Sequence, residues 1–233
     1  MRYRATVAYD GTGYEGFQRQ AHPNTIQGAL ETAISTVTHQ RVTVVGAGRT
    51  DAGVHAVGQV IAFDVTWPHD PQKLLKALNA HLPDDIALQD IRPQQGFHPR
   101  FDAVSRRYRY TVVEAQCPQP LLRHRVWRVP EPLDLEAMQT VAEALVGQHD
   151  FASFGHPPQG SNTVRTVYIS RWTRSPESYG AMLVYTIEAN AFLHHMVRRI
   201  VGTLVDVGRR RTTVEGALSI FNSHDISQAK TLA

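Results

Sequence analysis

Val42-Thr43-Val44-Val45-Gly46-Ala47-Gly48-Arg49-Thr50-Asp51-Ala52-Gly53-Val54-His55-Ala56 is a β-branched run opening into a glycine-flanked loop, and Val60-Ile61-Ala62-Phe63 follows as a second apolar run. The pattern predicts two strands joined by a loop that carries one cation, Arg49, and one carboxylate, Asp51. Glycine lets another backbone or a ligand approach such a loop closely. Charged groups on a loop above a sheet are a common way to build an active site. The same residues also read as a long hairpin turn in which Asp51 bonds its own backbone and Arg49 is solvated.

The flanking sequence gives the frame. Tyr3 to Tyr9 alternates, with Ala5, Val7 and Tyr9 on one side, and reads as a strand. Asn24, with Gln27, resembles a cap before a helix whose face carries Ile26, Leu30, Ala33, Ile34 and Val37. Strands at 42–46 and 58–65 bracket the loop. Asp70-Pro71 reads as a cap and first-turn proline opening a helix with Leu74, Leu75 and Leu78 inward, and Ile86 to Ile91 is a short strand. The order is β-α-β-β-α-β, the ferredoxin-like pattern.

The second half repeats it. Tyr108 to Val113 is a strand, and Asp134 caps a helix carrying Leu135, Met138, Val141, Ala142 and Leu145 that Gly147 ends. Strands near 164–172 and 181–189 follow, joined by a Ser175-Pro176-Glu177-Ser178 turn. A helix from Phe192 to Val207 and a helical stretch from Val214 to Phe221 complete the series, with Val126 to Val129 as an extra short strand. The expected fold class is α+β. Two ferredoxin-like units, 1–101 and 102–233, share a continuous, mostly antiparallel sheet, with helices on its outer face and an active-site cleft between the units. Pro93 to Phe101 crosses from one to the other, and the second unit lacks the closing strand that the first one has.

The chain has 233 residues, 42% of them apolar and 19% charged, which fits a folded protein. No apolar run approaches a membrane span. Cys117 is the only cysteine, so internal disulfides and cysteine-based zinc sites are excluded and a reducing cytoplasm is the simplest compartment. The formal charge is +3. Arginine far outnumbers lysine and clusters in Arg106-Arg107-Tyr108-Arg109-Tyr110, Arg123-His124-Arg125, Arg198-Arg199 and Arg209-Arg210-Arg211. The guanidinium fork suits phosphate and stacks on bases, so the clusters point to a polyanion partner.

Some signals mislead. Asp10-Gly11-Thr12-Gly13-Tyr14-Glu15-Gly16 contains Gly-x-Gly-x-x-Gly after a strand, but Phe17-Gln18-Arg19-Gln20-Ala21-His22-Pro23 does not open the helix that a dinucleotide site requires. A ligand-touching loop or a plain glycine turn remains. His194 and His195, adjacent on the expected helix, would point about 100° apart, and no metal-ligand spacing accompanies them. Phe97-His98-Pro99-Arg100-Phe101 interleaves aromatics and cations, a pattern that can stack bases and hold phosphates or pin a linker. Tyr108 can stack on a base or fill the core.

Taken together, the chain resembles the tRNA pseudouridine synthases of the TruA type over essentially residues 3 to 232. The matching segments are Tyr9 to Gln20, Gly48-Arg49-Thr50-Asp51-Ala52-Gly53-Val54-His55, Phe97 to Phe101, Arg106 to Tyr110, Phe151 to Phe154, and Asn190 to Arg198. The resemblance implies an enzyme that isomerises uridine to pseudouridine in the anticodon stem-loop of tRNA, as a homodimer, with no metal and no organic cofactor. It implies that Asp51 is the nucleophile, that Arg49 enters the RNA stack to help flip the target, that Tyr108 packs on the uracil, and that Arg198 pairs with Asp51. Helical geometry alone does not separate Arg198 from Arg199. The resemblance places further RNA contacts on Phe97, His98, Pro99, Arg100 and Phe101, and on Phe154, Gly155 and His156. Family members usually continue past Leu232-Ala233 into a closing strand, which agrees with the strand missing from the symmetry count. The rival from another class is a non-catalytic RNA-binding or tRNA-folding protein on the same scaffold.

Overall fold

The computed structural model describes residues 1–20 and 24–233, so the Ala21-His22-Pro23 end of the glycine-rich segment lies outside the described residues. The chain divides into two compact units, Met1–Ala103 and Val104–Ala233.

The first unit follows the order β1 (Arg2–Tyr9), α1 (Ile26–Thr38), β2 (Val45–Gly46), β3 (Ala56–Asp64), α2 (Pro71–Asn79) and β4 (Ile86–Pro93). Its sheet runs β2-β3-β1-β4, with every pairing antiparallel. Alternation along β1 sends Tyr3, Ala5, Val7 and Tyr9 to one face. There they join Ile61, Phe63 and Leu88 beneath the apolar stripes of the helices, Ile26, Leu30 and Ile34 from α1 and Leu74 and Leu78 from α2. The Asp70-Pro71 cap forms as read, the Asp70 carboxylate accepting from Gln72 N at 2.6 Å. For α1 the cap is Thr25, whose Oγ1 accepts from Gly28 N at 3.2 Å, and the Asn24 amide instead donates to the Gly13 carbonyl. The strand expected at 42–46 shrinks to Val45–Gly46. Val44 is buried, but its N–H goes to Glu31 Oε1 (3.0 Å) and its carbonyl to Gln27 Nε2 (3.1 Å), so side chains of α1 replace a neighbouring strand.

The second unit contains β5 (Arg106–Glu114), β6 (Trp127–Val129), α3 (Leu135–Ala144), β7 (Gly147–Asp150), β8 (Val164–Glu177), β9 (Gly180–Ala189), α4 (Met196–Gly208) and α5 (Val214–Asn222). Its sheet runs β6-β5-β9-β8-β7. β6 lies parallel beside β5 over Val112–Glu114, while the other pairings are antiparallel. Val112, Leu183, Tyr185, Ile187 and Ala189 pack with Met138, Ile200, Leu204 and Phe221 of the helices. Asp134 caps α3 as read, accepting from Ala137 N at 3.2 Å.

Four expectations change here. The β8–β9 hairpin is tighter than read: Ser175, Pro176 and Glu177 pair with β9 and only Ser178 and Tyr179 turn. β7 was not expected, its four polar or small residues carrying no alternating apolar signal. Helix α4 starts at Met196, because His195 takes a left-handed φ of 60° and leaves Phe192 to His195 outside it. Among the described residues the ladders form two sheets, one in each unit, where one continuous sheet is expected.

Candidate active site

The Asp51 loop leaves β2 and returns into β3, and it is clamped along its length by residues 9–17 of the same unit. Ala47 N donates to Val60 O at 2.9 Å, and Gln59 Nε2 to Gly48 O at 2.8 Å. Phe17 N donates to Thr50 O (3.0 Å), the Tyr9 hydroxyl meets Thr50 Oγ1 (2.9 Å), and Gly53 N donates to Tyr14 O (3.3 Å). Val54 N closes a turn onto Asp51 O at 3.2 Å, with Gly53 at φ 76° in the third position, where a type II turn requires a positive φ. Asp51 therefore occupies the first position of a tight turn and is half-buried, while Arg49 is exposed.

The glycine pattern at 11–16 packs against the Asp51 loop. A Cβ on Gly11 would lie 2.1 Å from the Val54 carbonyl oxygen, and one on Gly16, at φ 100°, would lie 2.7 Å from that of Thr50. The glycines let the end of β1 lie against the backbone of the Asp51 loop. In this unit the pattern cradles a loop.

Residues 97–102 form a compact turn around His98. Its Nδ1 accepts from Arg100 N (3.2 Å) and Phe101 N (3.3 Å), its own N–H donates to Asp102 Oδ2 (2.9 Å), and its ring stacks on Phe101 at 4.2 Å. Pro99 is buried and Phe97 is half-buried beneath the Arg4 guanidinium, 5.5 Å from its ring centroid. Arg100 and Phe101 are exposed, Phe101 by 77%. A single segment thus turns two residues inward and presents two outward.

In the second unit Tyr108 and Tyr110 share the side of β5 that faces the core, and Tyr108 meets Phe192 edge-on at 5.1 Å. Burial pushes the Tyr110 phenol up in pKa, with the Arg198 charge acting against it. That places Arg198 by the tyrosine side of β5, while Arg199 donates to Ala229 O at 3.3 Å. Arg198 also donates through Nε to Ala233 O at 2.6 Å.

Two of the residues expected to touch RNA are buried. Phe154 is 2% exposed and stacks on Phe221 at 5.9 Å in an aromatic cluster with Phe151, so its ring has no face for a base. Gly155 is buried, and a Cβ there would lie 2.4 Å from the His194 carbonyl oxygen. Of the three, His156 alone is exposed, bridged to His194 with His194 N donating to its carbonyl at 2.9 Å. The 100° divergence expected of His194 and His195 is also corrected: outside the helix their rings stack at 3.7 Å.

A family model described as tRNA pseudouridine synthase matches residues 5–102 and 141–233. The chain is 46% identical over 224 residues to the tRNA pseudouridine synthase A of Chloroflexus aurantiacus, covering 94% of this chain and 80% of that protein. It is 40% identical to the tRNA pseudouridine synthase A of Shewanella amazonensis, across 100% of this chain and 88% of that one. For the protein of that name from Pseudothermotoga lettingae the identity is 38%, across 100% and 94%. The chain belongs to the tRNA pseudouridine synthase family. No helix among the described residues is long and apolar enough to cross a membrane.

Proposed function

We propose that the protein converts uridine to pseudouridine in the anticodon stem-loop of tRNA, with Asp51 as nucleophile. The observation that carries this reading is the Asp51 turn: a carboxylate held at the head of a glycine-dependent turn, beside an exposed arginine, in a chain of this family. The reaction breaks the bond from uracil N1 to the ribose, turns the base, and forms a carbon–carbon bond from C5. The C5 proton leaves and N1 gains one, so the net change is an isomerisation and no water is consumed. One activated carboxylate suits that balance, whereas glycoside hydrolysis calls for two.

In this reading Arg198 is the charge partner of Asp51, Tyr108 packs against the target uracil, and Arg49 enters the stack as the base leaves it. The exposed pair Arg100 and Phe101, with Phe97 and His98 supporting them, meets the RNA backbone and bases. His156 adds a contact from the second unit. The chain acts as a homodimer in the cytoplasm.

The test is to incubate the protein with unmodified tRNA and map pseudouridine chemically, position by position. Pseudouridine confined to anticodon-arm uridines is expected; tight binding without modification overturns the enzymatic reading. Arg49→Ala is expected to slow turnover by about 10–100-fold, since extruding a base costs a few kcal/mol. Affinity should fall by less than about fivefold, because many phosphate contacts share it. Equal turnover at saturating tRNA would remove Arg49 from this role.

A further inference from the structure

His55 closes the Asp51 loop where β3 begins, and its ring faces the end of β1. Its Nδ1 lies 3.1 Å from Gly11 N and 3.0 Å from Asp10 Oδ1. The Asp10 carboxylate is itself fixed, accepting from Thr12 N at 3.0 Å and Thr12 Oγ1 at 2.6 Å. Beside this contact Gly11 is pressed onto the Val54 carbonyl, and Val54 N closes the turn that Asp51 heads. From Asp10 to Asp51 the chain of contacts runs through one imidazole nitrogen and one turn.

That nitrogen has two neighbours of opposite character, an N–H donor and a carboxylate acceptor. Without a proton, Nδ1 accepts from Gly11 N; with one, it donates to Asp10 Oδ1. Both forms tie residue 55 to the end of β1. We propose that His55 is a positioning residue for Asp51, holding the C-terminal limb of the loop so that the carboxylate meets its target in line. This rests on the reading of Asp51 as nucleophile. A displacement near 1 Å at a reacting group costs on the order of 10²-fold in rate.

The full chain carries the test, with pseudouridine formation measured on an unmodified tRNA transcript at single turnover and at steady state. His55→Ala removes the nitrogen. His55→Asn places one amide atom at about the reach of Nδ1, an oxygen that accepts from Gly11 N in one rotamer or an N–H that donates to Asp10 in the other. For His55→Ala the expected result is a loss of about 10–100-fold in kcat with KM within about threefold, and His55→Asn should return to within about fivefold of wild type. Wild-type kcat in His55→Ala overturns the proposal. So does a His55→Asn variant that melts normally yet turns over as slowly as His55→Ala. Should His55→Ala fail to fold, the rate of His55→Asn decides in the same way. Asp51→Ala is run beside them: activity retained there defeats the nucleophile reading, whereas activity lost there and unchanged in His55→Ala defeats only the positioning role.

Discussion

Asp51→Ala is expected to lower pseudouridine formation by at least about 10⁴-fold while tRNA affinity stays within about threefold. The substitution deletes the proposed nucleophile and leaves the backbone closure of the turn in place. The turn closes through the backbone, from Val54 N to Asp51 O, and alanine fits the first position of such a turn. Asp51 is half-buried, outside the apolar core of its unit, so stability should fall by about 1 kcal/mol. On the proposed reading binding rests on cationic contacts with phosphate, to which a carboxylate adds none. The measurement is single-turnover formation at saturating tRNA, paired with a binding isotherm and a melting curve. A rate near that of the native chain would remove Asp51 from the chemistry; a large loss of affinity would make it a binding residue.

Gly11→Ala should damage both stability and rate, and Gly13→Ala neither. The added methyl at Gly11 meets the Val54 carbonyl oxygen at 2.1 Å and its carbon at 2.8 Å, and the obstacle is backbone that no rotamer change can move. Overpacking of this kind costs about 1–3 kcal/mol or more, which in a chain of this size lowers Tm by several degrees. Relief requires the loop to shift away from β1, carrying the Asp51 turn with it, so a rate loss of about 10²-fold accompanies the lost stability. A Cβ on Gly13 meets nothing within 4 Å, and Gly13→Ala provides the control inside the same motif. Thermal melting and single-turnover rates on both variants decide it, and equal behaviour of the two would refute the cradle.

The parts of the fold that the sequence made legible are those written in local chemistry. Asp70 before Pro71, and Asp134 before its apolar stripe, cap helices where the pattern placed them. The alternation of β1 names its buried face. The misreadings arise where a distant partner decides. Thr25 and Asn24 are both good caps in adjacent positions, and the Gly13 carbonyl draws the asparagine away. Val42 and Val44 look like strand, yet Gln27 and Glu31 take the Val44 backbone groups. Phe154 carries no local mark of burial; Phe221, which covers it, lies 67 residues along the chain. The left-handed φ of His195 breaks a helical period that the letters alone continue. In the site the same division holds. The Asp51 loop stands out in the sequence by its residue types, but the bond from Gly11 N to His55 spans 44 residues, and no spacing rule announces it.

The cradle that residues 9–17 make for residues 46–56 has a bearing on inheritance and on engineering. The two stretches brace each other through carbonyls packed on glycines, amides donated to carbonyls, and the side chains of Tyr9, Asp10, Thr50 and His55. They form one cassette written in two places. A chimera that exchanges only the Asp51 loop imports foreign carbonyls into a mould cast for these, whereas moving both pieces together transfers a fitted pair. Natural drift meets the same constraint: a change in the path of one segment survives where the other segment yields to it.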